Sequence, residues 1–298
     1  MKVLLKNLVG RTAKNDGAWW LYKMCGRASG HLGKIYGHAR FERELWERDQ
    51  QTTKIARELF PTLTVATGPF QGMRYPNLRS VGSTLLPKLL GSYESEIHPA
   101  FETLLSTQYN TVIDIGCAEG YYAVGLGVRL KDAEVYAFDT DPRAREACRE
   151  MATLNGIGDR VHISGFCDKA TLVSLPLGER ALIITDCEGY EKELFDTETA
   201  AALDKHDLIV EAHDFIDIGI SQYIRDTFSK THCIRSIKST DDIQKAYTYQ
   251  YVQLKGFNLD ERRLIMGERR PAIMEWLVMT SCYGAGRGES SSMRWISY

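Results

Sequence analysis

One ten-residue run constrains this chain more than any other: Val112-Ile113-Asp114-Ile115-Gly116-Cys117-Ala118-Glu119-Gly120-Tyr121, an apolar strand that runs straight into two glycines four residues apart. A buried strand that turns at once into a helix is the opening unit of an open α/β sheet. Glycine at 116 and 120 permits a tight turn and a close approach of a ligand to the main chain. A dinucleotide fingerprint would read G-x-G-x-x-G and feed a pyrophosphate onto the helix. Here Ala118 stands at the middle glycine, and Glu119 brings a negative charge that a phosphate would oppose. S-adenosylmethionine, which carries a sulfonium and an ammonium, suits Asp114 and Glu119 by charge complementarity. Gly116, Ala118 and Gly120 then form the backbone cradle. Asp139, 25 residues after Asp114 at the end of the next strand, sits where α/β nucleotide sites hold ribose hydroxyls. Asp141, directly before Pro142, is instead a helix cap. Asp168, after the third strand, is the candidate acceptor for the adenine amino group.

The context of the turn is an alternation of short β-branched runs with helical periodicity. Strands are expected at 111–115, 134–138, 160–163, 181–185 and 207–211, a rhythm that means a parallel sheet. Between the second and third, Ala144, Cys148, Met151 and Leu154 share one face of a helix that Asn155-Gly156 stops. Ile220, Ile224 and Phe228 mark a later helix. Runs at 233–237, 248–254 and 274–280 would add an antiparallel edge. Upstream, 39–59 reads as a charged helix, 63–75 as a hairpin around Gly68-Pro69 and Gly72, and 92–106 as a helix leading into the first strand. Trp19, Trp20, Tyr22 and Trp46 are read as packing within the helical part.

Polar residues replace aliphatic ones at the ends of the fourth and fifth strands. The fourth gives Thr185-Asp186-Cys187-Glu188-Gly189-Tyr190-Glu191, and the fifth gives Glu211-Ala212-His213. Ligands of open α/β sheets bind outside the carboxyl ends of strands where the strand order reverses, so these acids would converge beside the donor's methyl group. Transfer of a methyl group to a hydroxyl needs alignment and removal of a proton. His213 is the candidate general base, with Asp186 and Glu211 beside it. Alternatively, Asp186, Glu188 and Glu211 hold a hard divalent ion such as Mg2+. Glu191 reads as an acid in a first helical turn, where the dipole favours it. The stretch Glu268-Arg269-Arg270-Pro271 reads as a solvated loop.

A net charge of −2 supplies no footprint for nucleic acid, which points to a small-molecule acceptor. The seven cysteines are scattered without a C-x-x-C pair, as in a reducing cytoplasm. Residues 1–10 lack the apolar block of a signal peptide, and no run of about 18 apolar residues would span a membrane.

The motifs together resemble those of the FkbM-type methyltransferases: a D-x-G-x-x-x-G turn at Asp114, Gly116 and Gly120, an acid at Asp139, and a D-x-E-G-x-E segment from Asp186 to Glu191. The resemblance covers about residues 105–240 and implies O-methylation of a hydroxyl on a sugar, a polysaccharide or a glycosylated product. N-methylation of a small molecule and a non-catalytic scaffold are the competing readings. The expected architecture is a Rossmann-like, seven-stranded, mostly parallel α/β sheet in the order 3-2-1-4-5-7-6. A helical extension with a hairpin would occupy 1–105 as a cap or homodimer element, the methyltransferase domain 106–283, and a loose tail 284–298.

Overall fold

Each of the five β-branched runs between residues 110 and 213 is a strand in the computed structural model, which describes residues 2–25 and 30–284 and places side chains for 8–23 and 34–283. The strands are β1 (Thr111–Ile115), β2 (Glu134–Phe138), β3 (Val161–Ser164), β4 (Ala181–Thr185) and β5 (Asp207–Ala212), followed by β6 (His232–Lys238) and β7 (Glu275–Ser281). They form one sheet in the order β3-β2-β1-β4-β5-β7-β6, as expected. The pairs from β3 through β5 are parallel, and β7 runs antiparallel to both β5 and β6. Every residue of β1, β4 and β5 is buried, which is why these strands read as continuous apolar runs.

The helices, in chain order, are α1 (Lys2–Ala13), α2 (Asp16–Cys25), α3 (Gly30–Leu59), α4 (Leu85–Leu90), α5 (His98–Leu104), α6 (Tyr121–Arg129), α7 (Pro142–Leu154), α8 (Lys169–Ser174), α9 (Glu191–Leu194), α10 (Thr197–Ala202), α11 (Ile220–Phe228), α12 (Asp242–Thr248) and α13 (Leu259–Met266). On α7, Asp141 caps the first turn by accepting from Arg143 N at 2.8 Å, and Ala144, Cys148 and Met151 are buried. On α11, Ile220, Ile224 and Phe228 are buried, and Phe228 meets Phe195 edge-on at 5.3 Å.

Two compact units divide between Pro61 and Thr62. The first holds α1–α3 around Val9, Ala13 and Ala39, with Trp19, Tyr22 and Ile35 packed against them; Trp19 stacks on Tyr36 at 5.8 Å. The second runs from Thr62 through the sheet and takes in residues 62–105, which the sequence pattern groups with the helices before them. Phe70 shows why: its ring lies 5.1 Å from that of Tyr121 and covers Gly125 of α6, where a Cβ would meet it at 2.5 Å. The hairpin around Gly68 and Gly72 is reduced to a single bridge, Thr64 with Arg74. The helix expected over 92–106 is α5 preceded by a 3-10 turn, Ser95–Ile97.

The run 248–254 is not a strand. Asp241 accepts from the backbone N–H groups of Ile243 and Gln244 and starts α12, which takes the sequence through Thr248, and a 3-10 turn follows at Val252–Leu254. Its aromatic residues give a strand-like composition, but α12 takes up Thr248, Arg262 bonds the Tyr249 carbonyl, and the 3-10 turn takes up Val252–Leu254. Most of the expected tail, from 285 onward, lies outside the described residues. No described helix is long and apolar enough to cross a membrane.

Candidate active site

The sheet order reverses direction between β1 and β4, and the turn after β1 lies at that point. Gly116 has φ +90° and Gly120 φ +94°, a region where only glycine is comfortable. A Cβ on Gly116 would stand 1.7 Å from the backbone oxygen of Asp186, and one on Gly120 would stand 2.8 Å from Cys148 Sγ. The protein's own packing therefore requires both glycines, and no close ligand is needed to explain their spacing. Ala118 adopts φ +47° without being glycine, a strained conformation of the kind that collects at functional sites. Two carboxylates hold the turn. Asp114, almost fully buried, accepts from Ala123 N at 2.8 Å and ties β1 to α6. Burial pushes its pKa up to about 7. Asp139 accepts from Ala118 N at 2.9 Å through one oxygen and from Asp141 N at 2.8 Å through the other.

Above the turn opens a cleft of about 260 Å³ whose wall includes Gly116, Ala118, Asp139, Phe166, Asp186 and Tyr190. Phe166 and Tyr190 meet edge-on at 5.1 Å and form an aromatic lip, with Phe166 58% exposed. Two expected ligand contacts are placed elsewhere. Asp168 accepts from Thr171 N at 2.8 Å and caps α8, away from the cleft wall. Glu119 is buried and turned to Lys88 Nζ at 2.6 Å, Ser80 Oγ at 2.8 Å and Val81 N at 3.0 Å. A carboxylate so fully committed to its own protein does not face a cationic ligand. Asp114 likewise stays beneath the turn and outside the wall.

The register sets the other half of the site. Thr185 on β4 pairs with Val210 on β5, so Asp186 and Glu211 follow side by side at the strand ends. His213 is 2% exposed. Its Nδ1 lies 2.5 Å from Glu191 Oε1, and its Nε2 lies 3.3 Å from Asp186 Oδ1 and 3.6 Å from Glu188 Oε2. Burial alone would favour the neutral ring, but the hydrogen bonds and charges of Asp186 and Glu191 outweigh it and raise the pKa to about 10. Both ring nitrogens of His213, the candidate general base, thus face carboxylates. Glu211 pairs with Arg270 Nη1 at 2.5 Å. Its carboxyl is pushed well above the usual range by burial and by Asp186 and Glu94. Arg270 also bonds Glu94 and, at 2.8 Å, Glu268.

Ligand atoms of Asp186, Glu211 and His213 lie within 4.8 Å of one another. Glu188, expected in such a group, is not part of it: its side chain is 77% exposed, on a residue with φ +52°. Glu191 opens the first turn of α9, as expected, but sequence reasoning missed that it is fully buried behind His213. It also missed Arg270, whose surroundings of three carboxylates depend on the antiparallel return of β7. The last acid of D-x-E-G-x-E was the available signal for Glu191. No local pattern marked Arg270.

No family model matches the chain. It is 36% identical over 59 residues to the ribosomal protein L11 methyltransferase of Aliivibrio fischeri, covering 20% of each chain. It is 38% identical over 61 residues to the release factor glutamine methyltransferase of Deinococcus radiodurans, covering 20% of this chain and 22% of that protein. The chain thus spans about a fifth of the length of the curated relatives it matches. Among solved structures, the human methyltransferase 10 domain containing protein aligns over 79% of this chain and 96% of its own, at 13% identity and a TM-score of 0.45. The strand order and the glycine turn after β1 give this chain a Rossmann-like sheet of the class I methyltransferase type.

Proposed function

We propose that this chain is an S-adenosylmethionine-dependent O-methyltransferase of the FkbM type, acting on a hydroxyl of a sugar, a polysaccharide or a glycosylated small molecule. The observation that carries the reading is the cleft at the switch point of the sheet, which joins the glycine turn and Asp139 to Asp186 at the end of β4. The ribose hydroxyls bind at Asp139, and the adenine rests against the Phe166–Tyr190 lip. The sulfonium then points toward Asp186. The acceptor oxygen attacks the methyl carbon as the carbon–sulfur bond breaks, the donor leaves as a neutral thioether, and the acceptor's proton passes to a carboxylate. Asp186, with 34% of its side chain exposed in the cleft, is the carboxylate within reach, whereas Glu211 is buried against Arg270. The relatives named for protein methylation support donor chemistry. They share too little of this chain to bear on its acceptor.

A pair of neighbouring aspartates tests the donor assignment. Asp139→Ala should raise the Kd for S-adenosylmethionine by about tenfold or more, the loss of a hydrogen bond to a charged group. Asp141→Ala should leave that Kd unchanged while lowering stability by about 1 kcal/mol through the lost cap. Equal donor affinity in wild type and Asp139→Ala would remove Asp139 from the ribose site.

A further inference from the structure

We propose that Asp186, Glu211 and His213 form a binding site for a divalent first-row metal ion, with Glu191 as the group that orients the histidine. One ligand atom from each of the three side chains lies within 4.8 Å of the other two, close to the spread of roughly 3–4.4 Å among ligands that share an ion at about 2.0–2.2 Å. The orientation of His213 is an independent observation. Nδ1 is committed to the fully buried Glu191, while Nε2 approaches Asp186 and Glu188 only at 3.3 and 3.6 Å, longer than an ordinary N–H···O hydrogen bond. A histidine held from behind by a buried carboxylate, with its other nitrogen aimed at two more, is the arrangement in which metal-ligating histidines are found. Arg270 plays the same supporting part for Glu211, fixing one of its oxygens at 2.5 Å.

The donor set decides the class of ion. Two carboxylates and one imidazole bring two negative charges, which a divalent cation neutralises, and the imidazole favours first-row metals over Ca2+. Asp186 lines the cleft, so the ion would keep open positions toward it. The consequence for catalysis rests on the proposed methyl transfer: an acceptor hydroxyl on the ion would become more acidic and would pass its proton to the Asp186 oxygen that does not bind the ion. The existence of the site rests on the geometry alone.

The test is a titration of the full-length protein, stripped with EDTA, with Mn2+ and no methyl donor, followed by calorimetry and by the electron paramagnetic resonance of free Mn2+. The expected result is saturation at one ion per chain. His213→Gln and Asp186→Asn should each weaken binding by about tenfold or more, and Glu191→Gln by about 10- to 100-fold. Glu188→Gln should leave it unchanged. Thermal melts show whether each variant is folded, and Glu211→Gln, which preserves shape beside Arg270, stands in for any that is not. Non-saturating uptake by the wild-type protein, or equal loss in Glu188→Gln and His213→Gln, would overturn the site. Because the donor is absent, either failure leaves the methyltransferase reading to its own titration.

Discussion

Glu119 and Lys88 face each other at 2.6 Å, each with 3% of its side chain exposed. Burial alone would raise the Glu119 pKa, but the Lys88 ammonium holds it below the usual carboxylate range. Removing one charge leaves the other buried without a partner, so Glu119→Gln should destabilise the protein by about 3–5 kcal/mol in denaturant unfolding. Adding Lys88→Met should recover most of that loss; no recovery would mean that the pair is not coupled. His98 offers a second test. Burial pushes its pKa down to about 4, although it bonds the Tyr93 carbonyl at 2.9 Å. The unfolded ring titrates near 6.5, so below that pH the unfolded state takes up a proton that the folded state refuses. Wild-type stability should therefore fall relative to His98→Gln between pH 6.5 and 4, and the difference should level off below that. Parallel curves for the two proteins would contradict the assignment.

At the scale of elements, the turn between β1 and α6 is built by its neighbours as much as by its own residues. Gly116→Ala would drive a Cβ to 1.7 Å from the Asp186 backbone oxygen in a left-handed conformation. The β1 and β4 ends would have to separate, and the variant should show a markedly lower melting temperature together with loss of donor binding. A normal melting temperature would mean that the turn is free to relax. The same interdependence separates what could be read in the sequence from what could not. The β-branched runs of the parallel sheet, the Asp141 cap and the apolar face of α7 are local patterns and appear as strands and helix where they were expected. The run 248–254 looked like a strand because aromatic residues suit strands, yet it is divided between the end of α12 and a 3-10 turn, with Arg262 of α13 bonding the Tyr249 carbonyl between them. Glu191 and Arg270 gained their meaning only from burial, through a histidine on another strand end and through the return of β7 beside β5.

At the scale of the whole molecule, strand order turns scattered motifs into one site. Reversal of direction between β1 and β4 sets the glycine turn beside Asp186, and the β4–β5 register sets Asp186 beside Glu211. The carboxylates therefore gather at the one edge of the sheet where an α/β fold leaves a crevice. The cleft was legible from the order of the motifs. The division of labour among its acids was not, since spacing alone gave Asp114 and Glu119 to the ligand and packing assigns them to the turn and to Lys88. The claim that this edge binds a methyl donor is tested most directly by calorimetric titration of the purified chain with S-adenosylmethionine and, separately, with NAD. Saturable binding of S-adenosylmethionine at one site per chain, with no heat from NAD, is the predicted result. Binding of NAD, or of neither compound, would contradict the account.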